Sequence, residues 1–282
     1  MSGMGGGLAS SATHEIAIEA YGVRALISTN SAHFYPLIEP ALPPGWAECD
    51  PADVEQTFHV ATRDGAFFDV EVDGDETTAA CDVDMAVEVL ETRLKRYVAL
   101  HAPQNTFVHA GAVASGGRAI LIPGPTFSGK TTLVSELLRA GADYLSDEYA
   151  VLDDAGSVSS YHRALAMREP DGGWDQSPHE ASDFGAEVPH EPVPVGLVVV
   201  THFRGGTQWR PRKLSAGDGA LALLANTVSA QTRPREALQA ASKAVESAIV
   251  LDGDRGEAAE IAGQVLGVLE SGLLPADING TG

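Results

Sequence analysis

The stretch IPGPTFSGKTTL, residues 122 to 133, constrains this chain more than any other. Gly124, followed after four residues by Gly129, Lys130 and Thr131, has the spacing in which a glycine-rich turn wraps a polyphosphate. Glycine takes positive φ and lets the backbone approach a ligand closely, so that successive N–H groups can converge on one anion. The cradle would run through Gly124, Pro125, Thr126, Phe127, Ser128, Gly129, Lys130, Thr131 and Thr132. Lys130 would bring a mobile positive charge to the β and γ phosphates, and the Thr131 hydroxyl would join the shell of a Mg²⁺ ion.

The flanks fit that reading. Residues 119 to 123, AILIP, form a short apolar run rich in branched side chains, as in a buried strand. Downstream, Leu133, Val134, Leu137 and Leu138 share one helical face, and Gly141 supplies a stop. The order strand, glycine loop, helix aims the free N–H groups of a helix N-terminus at a bound anion.

Charge limits the partners. With 18 basic against 39 acidic residues the net charge is −21, which argues against a nucleic-acid surface or an anionic membrane surface. A polyphosphate must therefore be held by local donors and a metal against an unfavourable overall field. Cys49 and Cys81 are too few for a disulfide framework and are expected to be reduced. The N-terminal sequence has no basic and apolar leader pattern, and VPVGLVVV (193 to 200) is too short to span a bilayer, so a cytoplasmic protein is expected.

The expected organisation has four parts: a flexible arm over 1–13, a small α+β module over 14–101, a nucleotide-binding domain over 102–274 and a flexible tail over 275–282. The module should be strand-rich (HEIAIEA, VRALIST, QTFHVAT, AFFDVEV) with a hairpin turn at RDG, 63 to 65. Its connector helix, 83 to 101, has Ala86, Val87, Leu90, Leu94, Tyr97 and Val98 on one face. In the domain, ADYLSDEYAVLDDAGSVSS reads as a strand, an acidic corner and a hairpin. Asp147 and Glu148 at that corner could hold Mg²⁺ or accept the proton of an attacking hydroxyl.

Residues 107 to 153, FVHAGAVASGGRAILIPGPTFSGKTTLVSELLRAGADYLSDEYAVLD, resemble the catalytic core of the HPr kinase/phosphorylase family and its shorter bacterial relatives. The resemblance implies an α/β fold: a P-loop kinase domain with a mixed sheet, of the type shared with phosphoenolpyruvate carboxykinase. It also implies ATP and Mg²⁺ as ligands, a protein or peptide hydroxyl as acceptor, and a homo-oligomer. Matched by position, His109 falls on the family's histidine before the loop, and Lys130 and Thr131 fall on its nucleotide and Mg²⁺ contacts. Asp147 falls on the acid held to act as base on the acceptor serine. Glu148 stands where the family has a second aspartate that serves the metal. Thr126 and Phe127 replace a serine and a glycine, and the family's later signature is reduced to LAMREP, in which Arg168 matches the arginine. HPr itself is accordingly not the expected substrate. A catalytically weak, nucleotide-gated binding module is the alternative.

Three further features complete the reading. Residues 169 to 194 are polar and rich in Gly and Pro, as in a cover over a site, with His179 and His190 as solvated loop histidines. Arg204, Arg210, Arg212 and Lys213 form the densest basic patch, available to a triphosphate, an acceptor, a neighbouring subunit or the excess carboxylates. Helices over SAGDGALALLANT and RPREALQAASKAVESA, a strand at AIVLD and a closing helix from Gly256 to about Leu273 should complete the domain.

Overall fold

The computed structural model describes residues 13–73, 77–168 and 176–274, and the side chains of Arg168 and Gln176 are outside that description. The arm expected before Thr13 and the tail over 275–282 lie outside the described residues. The chain divides into two compact units, Met1–Pro103 and Gln104–Gly282.

The first unit is strand-rich. Strands β1 (His14–Ala20), β2 (Val23–Thr29), β3 (Ala47–Glu48), β4 (Gln56–Thr62), β5 (Phe68–Val72) and β6 (Thr78–Cys81) form one sheet in the order β3-β1-β2-β4-β5-β6. Only β2 and β4 run parallel, because the chain between them crosses over through helix α1 (Ile38–Ala41) instead of a tight turn. Phe58 and Val60 of β4 are buried while His59 and Ala61 are not, the alternation of a sheet with one covered face. Helix α2 (Val83–His101) supplies the cover. Asp82 caps it by accepting the N–H of Met85, and Ala86, Leu90, Leu94 and Val98 recur at the four-residue spacing that keeps them on one side. Cys49 and Cys81 are both free thiols.

The second unit is mixed α/β. Its strands are β7 (Thr106–Ser115), β8 (Arg118–Pro123), β9 (Asp143–Ser146), β10 (Tyr149–Leu152), β11 (Ser157–Ser159), β12 (Leu165–Arg168), β13 (Gln176–His179), β14 (Val193–Val200), β15 (Arg212–Lys213) and β16 (Ile249–Asp252). Eight of them make one mixed sheet in the order β11-β10-β7-β8-β14-β16-β15, with β9 also on β7, while β12 and β13 pair separately. β8 is antiparallel to β7 and parallel to β14, which is parallel to β16.

Helices cover both faces, so the central strands are apolar throughout. Ile120 and Ile122 of β8 point into a core shared with α3 (Lys130–Arg139) and α6 (Ala258–Ser271). Ala119 and Leu121 point into the opposite core, with α4 (Ala216–Leu224) and α5 (Pro234–Val245). None of the described helices is long and apolar enough to cross a membrane.

The described part of the segment expected to be an open cover, 176–194, is pinned to the body of the unit. Ala181 is buried in the α3 core, Phe184, Ala186 and Val188 pack against that core, and the Arg139 guanidinium lies 5.0 Å above the Phe184 ring. Scattered among polar residues with no strand or helix period, these apolar side chains carry no pattern that sequence reading registers. His179 is accordingly a strand residue of β13, 3.0 Å from the Ser177 hydroxyl, whereas His190 is exposed. Residues 169–175 lie outside the described residues.

Candidate active site

The glycine loop joins the end of β8 to the start of α3. Gly129 caps the helix at φ +82°, a left-handed conformation that favours glycine. Leu133 makes the first intrahelical bond, to the Gly129 carbonyl, so the N–H groups of Lys130, Thr131 and Thr132 stand at the free end of the helix. Beneath them lies Gly111 of β7, where an added Cβ would stand 2.7 Å from Cγ2 of Val134 and 3.6 Å from Cβ of Lys130. A missing side chain in the sheet therefore seats the helix start close to the strands.

Lys130 turns back over its own loop. Its Nζ donates to the carbonyls of Gly124 at 3.0 Å and Pro125 at 2.8 Å. Desolvation pushes its pKa below the ordinary lysine value, opposed by the charges of Asp147 and Glu148. The cation is thus held by neutral carbonyls, an arrangement that a more strongly accepting anion can displace.

The acidic corner is a break in a continuous sheet edge. β9 and β10 both pair antiparallel with β7, with Ser146 opposite Ala112 and Tyr149 opposite His109, and Asp147 and Glu148 stand out between them. Ser146 shapes the break, its Oγ accepting the N–H of Glu148 at 3.1 Å and that of Tyr149 at 2.9 Å. The Glu148 carbonyl accepts the Ala110 N–H at 3.2 Å and holds the corner to β7.

Asp147 faces the loop. Its Oδ2 accepts the Thr131 hydroxyl at 2.8 Å and its Oδ1 accepts the Tyr144 hydroxyl at 2.9 Å. Burial raises its pKa above the ordinary carboxylate value; the two donors pull the other way and burial wins. Tyr144, fully buried, is itself raised by desolvation and by the neighbouring carboxylate, so it stays a neutral donor. Because Thr131 donates to Asp147, its oxygen lone pairs remain available to a cation. Among the described residues no three His, Cys, Asp or Glu side chains form a ready metal cage. The donor set fits Mg²⁺, which is commonly held by one or two carboxylates and substrate phosphates.

His109 lies within β7, its carbonyl accepting the Gly124 N–H at 3.2 Å and its ring 4.6 Å from that of Tyr149. The backbone of Arg168 ends β12 opposite Gln176, and its side chain lies outside the described residues. Most of the basic patch is engaged elsewhere: Arg212 pairs with Asp252, Arg204 with Asp254, and Arg210 donates to Gln208.

Two residues that sequence reading passed over contribute. Tyr144 is the second donor on Asp147. Arg255, from the turn between β16 and α6, donates through Nη2 to the Gly129 carbonyl at 3.0 Å. Its signal was positional: β16 lies beyond β14 from β8 and all three run parallel, so the turns that follow them open on one sheet edge.

Phe127 sits near the tip of the loop, 80% exposed, with φ at +65°. A bulky residue in that region costs about 1 to 2 kcal/mol of backbone strain. Phe127→Gly is therefore expected to leave the fold as stable, or to stabilise it by up to about 1 kcal/mol after the added chain entropy of glycine is set against the relief. Thermal melts check this, and a clear loss of stability would show the ring to be a packing element.

Neither protein-family models nor curated proteins give a match to this chain.

Proposed function

We propose that this chain is an ATP-dependent, Mg²⁺-requiring kinase of the HPr-kinase-like type, moving the γ-phosphoryl group to a hydroxyl, with a serine of a protein or peptide as acceptor. The observation that carries the reading is the 2.8 Å hydrogen bond from Thr131, in the first turn after the glycine loop, to Asp147. It brings the residue type suited to a metal–phosphate contact against an acid suited to serve the metal or the acceptor. The resemblance of residues 107 to 153 supplies the reaction class. A loop strand with one antiparallel and one parallel neighbour is in keeping with the phosphoenolpyruvate-carboxykinase type of nucleotide domain, as opposed to the wholly parallel sheet of a GTPase.

In this reading the N–H groups from Gly129 to Thr132 cradle the phosphates and Lys130 leaves its two loop carbonyls for the β and γ oxygens. Thr131, Asp147 and Glu148 would hold Mg²⁺, which would neutralise charge on the phosphates. Asp147 takes the proton of the acceptor hydroxyl as the new oxygen–phosphorus bond forms and the bond to the β-phosphate oxygen breaks, releasing ADP. Tyr144 fixes the orientation of that carboxylate. Positioning and fixed charge carry the catalysis, as phosphoryl transfer generally requires. The setting is the cytoplasmic ATP pool, and association into a homo-oligomer follows the same resemblance.

The test is incubation of the purified protein with γ-labelled ATP, Mg²⁺ and cell lysate, followed by mass spectrometry. A Mg²⁺-dependent label on a serine of a discrete acceptor is the expected result. Nucleotide binding with no label transferred would overturn the kinase reading. It would favour instead a nucleotide-gated binding module, which the exposed, strained Phe127 at the loop tip supports as a docking point for a partner.

A further inference from the structure

Arg255 has an unusual environment for an arginine. It is 3% exposed in a chain of net charge −21, yet both donor contacts of its guanidinium go to backbone carbonyls: Nη1 to Gly256 at 3.0 Å and Nη2 to Gly129 at 3.0 Å. Its Nε, also buried, has no hydrogen-bond partner. Among the described residues no carboxylate forms an ion pair with it, and the neighbouring Arg204 takes Asp254.

The placement is rigid. Arg255 donates its N–H to the His202 carbonyl at 2.9 Å and accepts the Arg204 N–H at 2.8 Å, while Thr201 ties Gly253 through its hydroxyl at 2.7 Å. The guanidinium lies 5.6 Å from the centre of the Phe203 ring. On its other side is the left-handed cap of α3, where an added Cβ on Gly129 would meet Nη2 at 2.6 Å.

A buried cation with no carboxylate in ion-pair contact, set at the positive end of a helix dipole, is unfavourable in isolation. Burial accordingly lowers the pKa of Arg255, with Glu257 opposing. The ligand chemistry that relieves this arrangement is a multiply charged anion at the start of α3.

We propose that Arg255 is a positioning residue of the polyphosphate site: it clamps the Gly129 carbonyl and supplies, beside Lys130, a second fixed positive charge that the bound polyphosphate compensates. The inference rests on the phosphate reading of the glycine loop and extends it to a residue outside the loop. The Lys130 amine is mobile and directly displaceable. The Arg255 fork is fixed before the ligand arrives, so little ordering is needed on binding.

The experiment titrates inorganic tripolyphosphate and Mg-ATP into wild-type protein, Arg255→Met and Arg255→Lys at several salt concentrations, with thermal melts of each protein with and without ligand. Arg255→Met is expected to weaken both ligands by about tenfold or more and to flatten the salt dependence of binding. Its ligand-free melting temperature should equal or exceed that of wild type, because an uncompensated buried charge has gone. Arg255→Lys should keep the salt dependence and recover only part of the affinity, having the charge without the fork. A ligand-free loss of stability with affinity and ligand-induced stabilisation intact would make Arg255 a structural brace and overturn the proposal. Unaltered binding by Arg255→Met, with wild type binding normally, would overturn it alone. Failure of wild type to bind either ligand would overturn the phosphate reading and this inference with it.

Discussion

Lys130→Ala is expected to weaken nucleotide binding by about a hundredfold, the equivalent of about 3 kcal/mol of charge-assisted hydrogen bonding, and to abolish transfer. The ligand-free fold should hardly change. In the absence of ligand the Nζ bonds only to the Gly124 and Pro125 carbonyls, and the half-buried amine holds its proton less tightly than it does in the unfolded chain. A lysine with a lowered folded pKa contributes stability above its ordinary value and loses it as pH falls through the lowered one. At neutral pH the charge is therefore a cost that the variant no longer carries, set against two modest bonds to carbonyls. Calorimetric titration with Mg-ATP and parallel melts separate the two quantities. Unchanged affinity would remove Lys130 from the site and with it the principal sequence argument for a phosphate cradle.

The strand–loop–helix order around Gly129 was legible, because it depends on local spacing: glycine where the backbone must turn, and an apolar helical period directly after it. The acidic corner was legible as a position but not as a contact. That Asp147 meets Thr131 depends on the pairing of β9 and β10 along one edge of β7, with a serine-built break between them. Pairing between segments more than thirty residues apart leaves no periodic trace. Arg255 was less legible still, since it reaches Gly129 across 126 positions of sequence and sits in a turn with no motif. The basic patch shows the opposite case: a conspicuous local cluster of which two members, Arg204 and Arg212, are taken up once folded by Asp254 and Asp252 at the end of β16. In the first unit, the alternation of β4 and the four-residue spacing in α2 express burial on one face, so its elements were readable even though nothing in them indicates a chemistry.

Asp147→Asn separates catalysis from stability by moving them in opposite directions. Loss of a positioned general base lowers transfer by about 10² to 10⁴-fold. Nucleotide binding should be largely retained, because the asparagine oxygen can still accept the Tyr144 hydroxyl and its amide can donate to Thr131. Burial raises the Asp147 pKa in the ligand-free protein, and a bound Mg²⁺ would lower it again. Wild-type transfer should therefore rise with pH on an acid limb that marks the ionisation of Asp147, since only the ionised form accepts a proton. The variant should lack that limb. The same raised pKa means that the contribution of Asp147 to stability is fully present below the unfolded carboxylate value and lost as pH rises through the folded one. Melts at a series of pH values should therefore show the variant gaining on wild type across that window and staying at or above it at neutral pH. A misfolded variant would lose activity and stability together, so this divergence assigns the lost activity to the carboxylate. Restoration of transfer by high Mg²⁺ would leave Asp147 its metal role and remove its role as base, and full transfer by the variant in the first place would remove it from the mechanism.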